Sequence, residues 1–309
     1  MNIISIINKH SEILMNATKV NKLSKGYSTD QKYIVHANGN KYLLRVGASA
    51  DYKKKQQEFH TLKGLQNLRV RCPKPYEIKN IETQNISYTI YAYIDGKDAK
   101  EIIHTFSDKE QYHLGIDAGK ELYKLHQYAE IPSVEAWESR ILKKHYQYLQ
   151  AFQSCGIKIK QVEKIIDFIE ENKQYLIERP NRLQHDDFHL GNIILSDRKF
   201  SGVIDFDNLD WGDPIHDFVK VGLFVRGESI PFSIGQVHGY YNFQVPESFW
   251  RLYSIYMAMV IFSSVVWTIR FVPDQLDEMM ERLNVILEDH QYFELWKPLW
   301  YQEKMEWSS

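Results

Sequence analysis

The sequence predicts an α+β fold of two lobes, a small antiparallel-sheet N-lobe and a mostly helical C-lobe. The chain of 309 residues is long enough for two lobes with a sizeable core. Apolar and polar residues alternate at strand spacing up to about Tyr93, and apolar residues recur at helical spacing from about Asp108. A short hairpin with polar residues at both ends follows His185. We therefore predict an N-terminal lobe at 1–94 and a C-terminal lobe at 95–309.

The strand and turn signals of the N-terminal half predict a five-stranded antiparallel sheet with one main helix. Asn38-Gly39 is a strong signal for a two-residue hairpin turn. A helix at 2–15 opens the lobe, because its apolar residues have helical spacing. The predicted strands are Val20–Leu23, Lys32–His36, Lys41–Val46, Tyr76–Ile81 and Ser87–Tyr93, and the main helix is Tyr52–Leu65.

The C-terminal half reads as helical apart from the hairpin. A long helix begins at Asp108 and ends at Leu125-His126, where we expect His126 to pack at the helix end rather than act in catalysis. The other predicted elements are helices at Trp137–Phe152 and Ile159–Leu176, hairpin strands at Ile193–Leu195 and Gly202–Ile204, and helices towards the C-terminus.

Composition excludes several classes of protein. Apolar content of 44%, charged content of 25% and a net charge of -2 are ordinary for a globular protein and favour no nucleic-acid partner. Cys72 and Cys155 are too few for a disulfide framework, which indicates a reducing compartment and a cytoplasmic protein. The N-terminus has no basic region followed by a long apolar run, so we expect no signal peptide.

One apolar segment, Leu252–Ile269, carries no charge over 18 residues, which is the lower limit for a membrane span. Tyrosine, serine and threonine residues interrupt it. We therefore predict a buried helix of the C-lobe and no membrane partner.

Polar side chains cluster at both ends of the predicted hairpin. The segment from His185 to Asn192 reads H-D-D-F-H-L-G-N, and Asp205 directly follows the return strand. Tight pairing would bring Asp187, Asn192 and Asp205 to one end of the hairpin. Two carboxylates and an amide suit a hard divalent cation and a hydroxyl nucleophile. The alternative is a hairpin with polar ends, since Asp and Asn are common turn residues.

The spacing of this segment favours a phosphoryl-transfer site. His185-x-Asp187 followed by four residues and Asn192 matches the kinase catalytic-loop pattern H-x-D-x-x-x-x-N. An Asp-Phe pair after the next hairpin, beginning at Asp205, supplies the metal ligand in the kinase template. We predict Asp187 as the catalytic residue, Asn192 and Asp205 as Mg²⁺ ligands, and ATP or GTP as the co-substrate.

Two longer motifs carry a family resemblance. They are H-D-D-F-H-L-G-N-I-I-L and G-V-I-D-F-D-x-x-x-W-G-D-P-x-x-D, and the chain resembles the aminoglycoside phosphotransferase family from about Lys22 to about Glu288. That family is similar in fold to choline kinases and protein kinases, so the resemblance implies a bilobal protein kinase-like fold. Asp186 replaces the glycine of the commoner form H-G-D-x-H-x-x-N, which makes the local backbone less free.

The resemblance assigns nucleotide binding to the N-lobe. A glycine-bearing turn that contains Ser28 would cover the phosphates, and Arg45 would hold them where the family usually has lysine. Glu58 on the following helix would pair with Arg45. Tyr91 and Tyr93 belong to the hinge, whose backbone would read the base, so ATP and GTP cannot be told apart. The alternatives are an ordinary hairpin, an exposed arginine and a solvated helix glutamate.

Other polar residues of the motif region have structural expectations. We expect Asp217 to accept hydrogen bonds from the catalytic-loop backbone. His189 is expected to form hydrogen bonds within the loop in preference to touching a phosphate. Asp207 and Asp210 are expected in solvated turns.

The C-terminal segment is acidic, and two interpretations stay open. The carboxylates form a solvated helix face, or some of them hold a cationic acceptor. They are Asp274, Asp277, Glu278, Glu281, Glu288 and Asp289.

The resemblance implies a kinase that transfers the γ-phosphate of ATP or GTP to a hydroxyl group of a small molecule. An aminoglycoside-type antibiotic is the family's eponymous acceptor, with a role in resistance. A helical insertion around 130–182 would wall the acceptor site. The alternatives are a metabolite kinase acting on choline, an amino acid, a sugar or a macrolide, and a nucleotide-binding pseudokinase that regulates a partner.

Overall fold

The structure is a computed structural model that describes residues 3–24, 29–128 and 135–304. The chain forms two compact units. The first contains the chain up to Gly96 together with Ser201–Asp207, and the second contains Lys97–Phe200 and the chain from Asn208 onward. Strands dominate the first unit and helices the second, which confirms the predicted α+β class.

The first unit is built on one antiparallel sheet with strand order β1-β2-β3-β5-β4. Its apolar core collects side chains from one face of the sheet, among them Val35, Leu44 and Tyr88, and Ile7 of the opening helix packs into it. The elements are α1 Ile3–His10, β1 Ala17–Leu23, β2 Gln31–Ala37, β3 Asn40–Ala48, α2 Tyr52–Asn67, β4 Pro75–Ile81 and β5 Ile86–Ala92.

Turn chemistry sets the register of the sheet. Asn38 and Gly39 both have positive φ, 50° and 75°, as a two-residue hairpin between right-twisted strands requires. The resulting register places Arg45 between Lys32 of β2 and Thr89 of β5, at the centre of the sheet. The opening helix ends at His10, earlier than the predicted 2–15, because a turn follows it.

A segment from far along the chain completes the first unit. The main-chain N–H of Val203 donates a hydrogen bond to the carbonyl oxygen of Arg71 at 2.9 Å. A Cβ atom on Gly202 would lie 2.9 Å from that same oxygen, so the close approach requires glycine. The sequence does not predict that 201–207 joins the first unit.

The second unit contains most of the helices and two small sheets. One sheet has the order β6-β8-β9 and the other pairs β10 with β7. The predicted hairpin is present as β8 and β9, with Asp197 and Arg198 in its turn. The elements are β6 Lys97–Asp98, α3 Ala99–Ile102, α4 Asp108–His126, α5 Trp137–Gln153, α6 Val162–Asn172, β7 Arg182–Gln184, β8 Ile193–Ser196, β9 Lys199–Val203, β10 Asp210–Gly212, α7 Ile230–Tyr240, α8 Glu247–Phe271 and α9 Leu276–Asp289.

Helices α4 and α7 approach each other through paired glycines. A Cβ atom on Gly115 or Gly119 of α4 would lie 2.2 or 2.1 Å from a main-chain carbonyl oxygen of α7. A Cβ atom on Gly235 or Gly239 of α7 would meet a carbonyl oxygen of α4 at 2.1 or 2.2 Å. Both pairs have the spacing G-x-x-x-G, which aligns them on one helix face. The backbones therefore touch where any side chain would separate them.

Helix α8 contains the uncharged segment and runs through the core of the second unit. By length and composition it could cross a membrane, but most of its apolar window is buried inside the protein. Trp250, Tyr253, Tyr256 and Phe262 are among its fully buried side chains. The predicted burial of this segment is therefore observed.

Candidate active site

Asp217 fixes the backbone of the loop that carries the catalytic motif. Its Oδ2 accepts a hydrogen bond from the N–H of His185 at 2.9 Å, and its Oδ1 accepts one from the N–H of Asp186 at 2.7 Å. Asp217 is fully buried, so these bonds are shielded from water. The predicted structural role of Asp217 is confirmed.

The ends of α4 and α7 hold Asp217 in turn. Nε2 of His126 lies 2.9 Å from Oδ2 of Asp217, and Nδ1 of His126 lies 2.8 Å from the hydroxyl of Tyr240. Because an ionised carboxylate only accepts, Nε2 carries the proton and Nδ1 accepts from the tyrosine. Burial opposes ionisation of Asp217, but the hydrogen bond from His126 lowers its pKa. His126 is thus a packed residue that also orients the loop anchor.

Three side chains of the second unit surround the carboxylate of Asp187. Nδ2 of Asn192 donates to Oδ2 of Asp187 at 2.9 Å and to its carbonyl oxygen, also at 2.9 Å. Nε2 of His189 and Nζ of Lys220 each lie 3.3 Å from Oδ1. His189 accepts from the N–H of Gly191 at Nδ1, which places its proton on Nε2, facing Asp187. His189 therefore forms hydrogen bonds within the loop, as expected.

These contacts keep Asp187 ionised. Burial opposes the charged form, but the hydrogen bond from His189 and the charge of Lys220 lower the pKa of Asp187 below its ordinary range. A carboxylate with so low a pKa is a weak base. It can accept a hydrogen bond from an alcohol and orient it while the alcohol oxygen reacts.

Asn192 presents an oxygen that can bind a cation. Its amide nitrogen donates both bonds to Asp187, so its amide oxygen is the atom left for a ligand. Mg²⁺ prefers oxygen ligands and is commonly bound by one or two carboxylates with substrate phosphates. No cluster of three or more His, Cys, Asp or Glu side chains within the described ranges could hold a metal by itself. The donor set fits a metal that the nucleotide helps to bind.

Asp205 belongs to the first unit and has a left-handed backbone, with φ of 67°. It follows the end of β9, and the next residue, Phe206, is fully buried. Asp187 and Asn192 belong to the second unit. The predicted convergence of Asp205 with these two residues stays a prediction.

Arg45 lies in a buried cluster of carboxylates in the first unit. Its Nη1 donates to Oε1 of Glu58 at 2.9 Å, and its Nη2 donates to Oδ2 of Asp30 at 3.0 Å. Nη1 also lies 2.5 Å from Oδ1 of Asp207. The predicted pair of Arg45 and Glu58 is present. Asp207 lies in a turn, as expected, but it is largely shielded from solvent, because its carboxylate contacts the buried guanidinium.

The cluster contains more carboxylates than cations. Burial, together with the charges of Asp207 and Asp205, raises the pKa of Glu58 to about 7 against the opposing charge of Arg45. Burial disfavours the charge of Arg45, yet Glu58 and Asp207 raise its pKa above the ordinary value. An excess of carboxylates favours a further cation, so these charges also fit a bound Mg²⁺.

The three other residues predicted to contact the nucleotide, Tyr91, Tyr93 and Ser28, differ in what the structure describes of them. Tyr91 lies inside β5, opposite Leu43 and Pro75, and its hydroxyl donates to Glu58 at 3.2 Å. Its side chain therefore supports the Arg45 cluster. The N–H of Tyr93 donates to the carbonyl oxygen of Lys41, so the sheet already uses it. Ser28 lies outside the described residues.

A family model described as Phosphotransferase enzyme family matches residues 19–249, about three quarters of the chain. This chain belongs to that family. The match confirms the predicted enzyme class, a phosphotransferase with a hydroxyl group as acceptor. No curated protein matches the chain.

Solved structures of other phosphotransferases share the fold. ADP-bound aminoglycoside phosphotransferase APH(2'')-Ib has a TM-score of 0.64 and 20% identity, over 90% of this chain and 95% of that one. A complex of gentamicin with APH(2")-IIa has a TM-score of 0.64 and 20% identity, over 92% and 97%. A thermostable APH(4)-Ia mutant with ADP and hygromycin B has a TM-score of 0.68 and 14% identity, over 93% and 98%. The predicted kinase-like fold is confirmed.

The W-G-D-P segment of the phosphotransferase is a structural junction. Asp213 is fully buried and accepts from Nε and Nη2 of Arg179 at 2.6 and 3.1 Å and from the hydroxyl of Tyr256 at 2.8 Å. Nη2 of Arg140 donates to both carboxylate oxygens of Asp210 at 3.0 Å. Asp210 lies in strand β10 rather than in the expected turn, because β10 pairs with β7, and its side chain stays solvated.

Several residues at the two sites carry no sequence signal. Lys220 contacts Asp187 from the helical segment after Asp217, Asp30 contacts Arg45, and Lys55 contacts Asp30. None of them belongs to a motif, since their positions follow from how the loop, α2 and β3 pack. Only Lys220 could have been suspected, because it lies one helical turn after Asp217.

Proposed function

We propose that this phosphotransferase transfers the γ-phosphate of ATP or GTP to a hydroxyl group of an aminoglycoside-type antibiotic, in a resistance role. The observation that carries the proposal is the carboxylate of Asp187, which is ionised and held by Asn192, His189 and Lys220. Phosphoryl transfer requires positioning and charge stabilisation more than covalent chemistry. A fixed, weakly basic carboxylate is suited to orienting an alcohol.

Each predicted residue has one role in this proposal. Asp187 accepts a hydrogen bond from the acceptor hydroxyl and takes its proton late in the transfer. Asn192 and Asp205 hold Mg²⁺, which neutralises the charge of the phosphate oxygens when it is bound. Arg45 binds the phosphates, and Glu58 holds Arg45. In this proposal the N-terminal lobe, 1–94, binds the nucleotide.

Three further residues take part in nucleotide binding in this proposal. Ser28 in the glycine-bearing turn would cover the phosphates. Tyr93 would contribute its carbonyl group to the hinge, since its N–H is already bonded. Tyr91 would act through Glu58. The proposal places the enzyme in the cytoplasm, where nucleotide and Mg²⁺ are available.

Charge on the C-terminal segment supports a cationic acceptor. Asp274, Asp277, Glu281 and Glu288 are exposed on or beside α9. Asp289 does not belong to this surface, because it is buried and paired with Arg226 at 2.8 Å. The structural relatives include complexes with gentamicin and hygromycin B. Exposed carboxylates attract polycations at low salt and lose this attraction as salt is added.

A second candidate, a metabolite or macrolide kinase, is favoured by one residue. Arg45 stands where aminoglycoside phosphotransferases usually have lysine, and in this respect the chain resembles choline kinases and macrolide kinases. Arginine presents a planar fork rather than a point charge, so the phosphate geometry differs. The acceptor of this candidate is choline, an amino acid, a sugar or a macrolide.

A phosphate-transfer screen tests the proposal. Purified enzyme with Mg²⁺ and γ-labelled ATP or GTP is incubated with aminoglycosides, macrolides, choline, amino acids and sugars, and Asp187→Asn serves as control. We expect label in an aminoglycoside, and none with the variant. Label in a neutral acceptor or in choline would favour the second candidate. Nucleotide binding without transfer to any acceptor would favour a regulatory pseudokinase.

A further inference from the structure

Arg45 is part of a buried ionic network that extends beyond its pair with Glu58. Nη2 of Arg45 donates to Oδ2 of Asp30 at 3.0 Å, and Nζ of Lys55 donates to Oδ1 of Asp30 at 2.6 Å. The side chains of Arg45, Asp30 and Lys55 are 8%, 5% and 7% exposed. Asp30 therefore bridges two cations away from water, one on β3 and one on α2.

The backbone of β3 leaves room for this bridge. A Cβ atom on Gly47 would lie 2.0 Å from Oδ1 of Asp30 and 2.3 Å from Nζ of Lys55. Gly47 is two residues from Arg45 on the same strand, so both point to one face of the sheet. The bridge between Asp30 and Lys55 occupies the space that a side chain at position 47 would take.

The guanidinium group of Arg45 is planar and has two terminal nitrogens, so carboxylates on Nη1 alone do not fix the orientation of its plane. Glu58 and Asp207 both contact Nη1, so neither of them fixes the second terminal nitrogen, Nη2. Asp30 fixes Nη2, and two carboxylates on different elements set the plane of the fork. Nε of Arg45 is buried and has no hydrogen-bond partner among the residues that the structure describes. That N–H is a donor available to an oxygen of a bound anion.

Stability alone gives a poor account of the network. Taking charges out of water costs about as much as, or more than, their mutual attraction returns, and apolar replacements of buried ion pairs are often neutral or stabilising. A buried arginine with one unmatched donor is costly unless a ligand uses it. The network is better explained by the orientation it gives to Arg45.

We propose that Asp30, held by Lys55 over Gly47, is a positioning residue that sets the plane of Arg45 for the phosphates of the nucleotide. This inference rests on the proposed function, because it takes Arg45 as the phosphate-binding cation. Asp30 acts through Arg45 and touches no phosphate itself. It also provides a reason for arginine at this strand position, since lysine has no second terminal nitrogen for Asp30 to bind.

Binding of nucleotides and nucleosides separates positioning from general damage. The variants Asp30→Asn and Gly47→Ala are titrated with Mg²⁺-ATP and Mg²⁺-GTP, and with adenosine and guanosine. We expect roughly tenfold weaker binding of the triphosphate in each variant, with nucleoside binding unchanged. Lys55→Met should weaken triphosphate binding in the same direction. Lys53→Met, an exposed lysine of the same helix, is the matched control and should bind as wild type does.

A double-mutant cycle tests whether Asp30 acts through Arg45. In the Arg45→Lys background, Asp30→Asn should change triphosphate affinity by no more than about twofold. An equal loss in both backgrounds would overturn the proposal, and so would wild-type affinity in folded Asp30→Asn and Gly47→Ala. Loss of nucleoside and triphosphate binding together would also overturn it, because a structural role predicts that result. A wild-type enzyme that binds no nucleotide would instead refute the proposed function.

Discussion

Asp186 is a carboxyl group in a left-handed backbone conformation, directly before Asp187, the proposed catalytic residue. Its φ is 55°, a conformation that glycine adopts more easily and that aspartate tolerates better than most residues. Burial raises the pKa of Asp186 to about 6, although Lys220 and Lys144 oppose the shift. Nδ1 of His216, a largely buried histidine, lies 3.6 Å from its carboxylate. Ionisation of Asp186, which replaces the family's glycine, therefore lowers the free energy of unfolding.

The raised pKa of Asp186 predicts a pH-dependent cost in stability. Between pH 3.8 and about 6 the folded protein holds a proton that the unfolded chain releases, so this group lowers stability as pH rises through that window. Asp186→Asn should be as stable as wild type at pH 4 and more stable by about 1 kcal/mol at pH 7, since the side chain is partly exposed. Urea unfolding at the two pH values measures the difference.

The control for this prediction is Asp197→Asn, an exposed aspartate that is also left-handed, with φ of 48°. Its effect on stability should be small at both pH values. The same gain for Asp186→Asn at pH 4 and pH 7 would contradict the account of its pKa.

The packing of α4 on α7 shows how whole elements position the site. The paired glycines set the separation of the two helices, and the last residues of these helices, His126 and Tyr240, hold Asp217. Asp217 holds the main chain of the catalytic loop. A small change in helix separation should therefore alter the position of Asp187 through these contacts.

Gly119→Ala tests this connection. The added methyl group would lie 2.1 Å from the carbonyl oxygen of Gln236, which is backbone and cannot move aside. We expect a loss of about 2 kcal/mol in the free energy of unfolding, as overpacking typically costs, together with a lower kcat. Gly227→Ala is the control, because nothing lies within 4 Å of its added Cβ. If Gly119→Ala were as stable and active as Gly227→Ala, the helices would not depend on this contact.

At the scale of the whole molecule, buried neutral histidines predict sensitivity to acid. Burial lowers the pKa of His145, His216 and His290 to about 4. Both ring nitrogens of His145 lack a hydrogen-bond partner among the described residues. Between pH 6.5 and about 4 the histidines bind protons in the unfolded chain but stay neutral in the folded protein. The free energy of unfolding therefore decreases as pH falls through that window.

We expect the free energy of unfolding to drop by several kcal/mol from pH 7 to pH 5, with up to about 2 kcal/mol from each histidine. Asp186 and Glu58 contribute in the opposite sense, because burial raises their pKa values, so the net drop is smaller than the sum over the histidines. His145→Phe, which would pack against Phe262, should reduce the drop, and chemical denaturation at both pH values measures it. A drop that is unchanged in the folded variant would exclude His145 as a source.

The sequence predicts the parts of this fold and site that depend on local chemistry. Alternating strands, the Asn38-Gly39 turn and the spacing of Asp187 and Asn192 are local patterns, and they were sufficient for the sheet and the catalytic loop. The bridge from Arg45 to Asp30 and the contact of Asp207 with Arg45 depend on how distant segments pack. No regular spacing of residues in the sequence predicts such contacts. The paired glycines were readable in the sequence, but G-x-x-x-G alone does not tell which helix is the partner.

The central claim is that Asp187 serves transfer while Asp205 serves the metal–nucleotide complex, and a comparison of three variants tests it most directly. Affinity for the Mg²⁺-nucleotide and the rate of transfer are measured for Asp187→Ala, Asn192→Ala and Asp205→Ala, each shown to be folded by its melting transition. Asp187→Ala should bind nearly as wild type does and lose transfer by ~10²–10⁴-fold, as removal of a positioned base typically does. Asp205→Ala should lose affinity as well, because it removes an anionic metal ligand, and Asn192→Ala should fall between. Unchanged transfer in folded Asp187→Ala and Asp205→Ala variants would contradict the account.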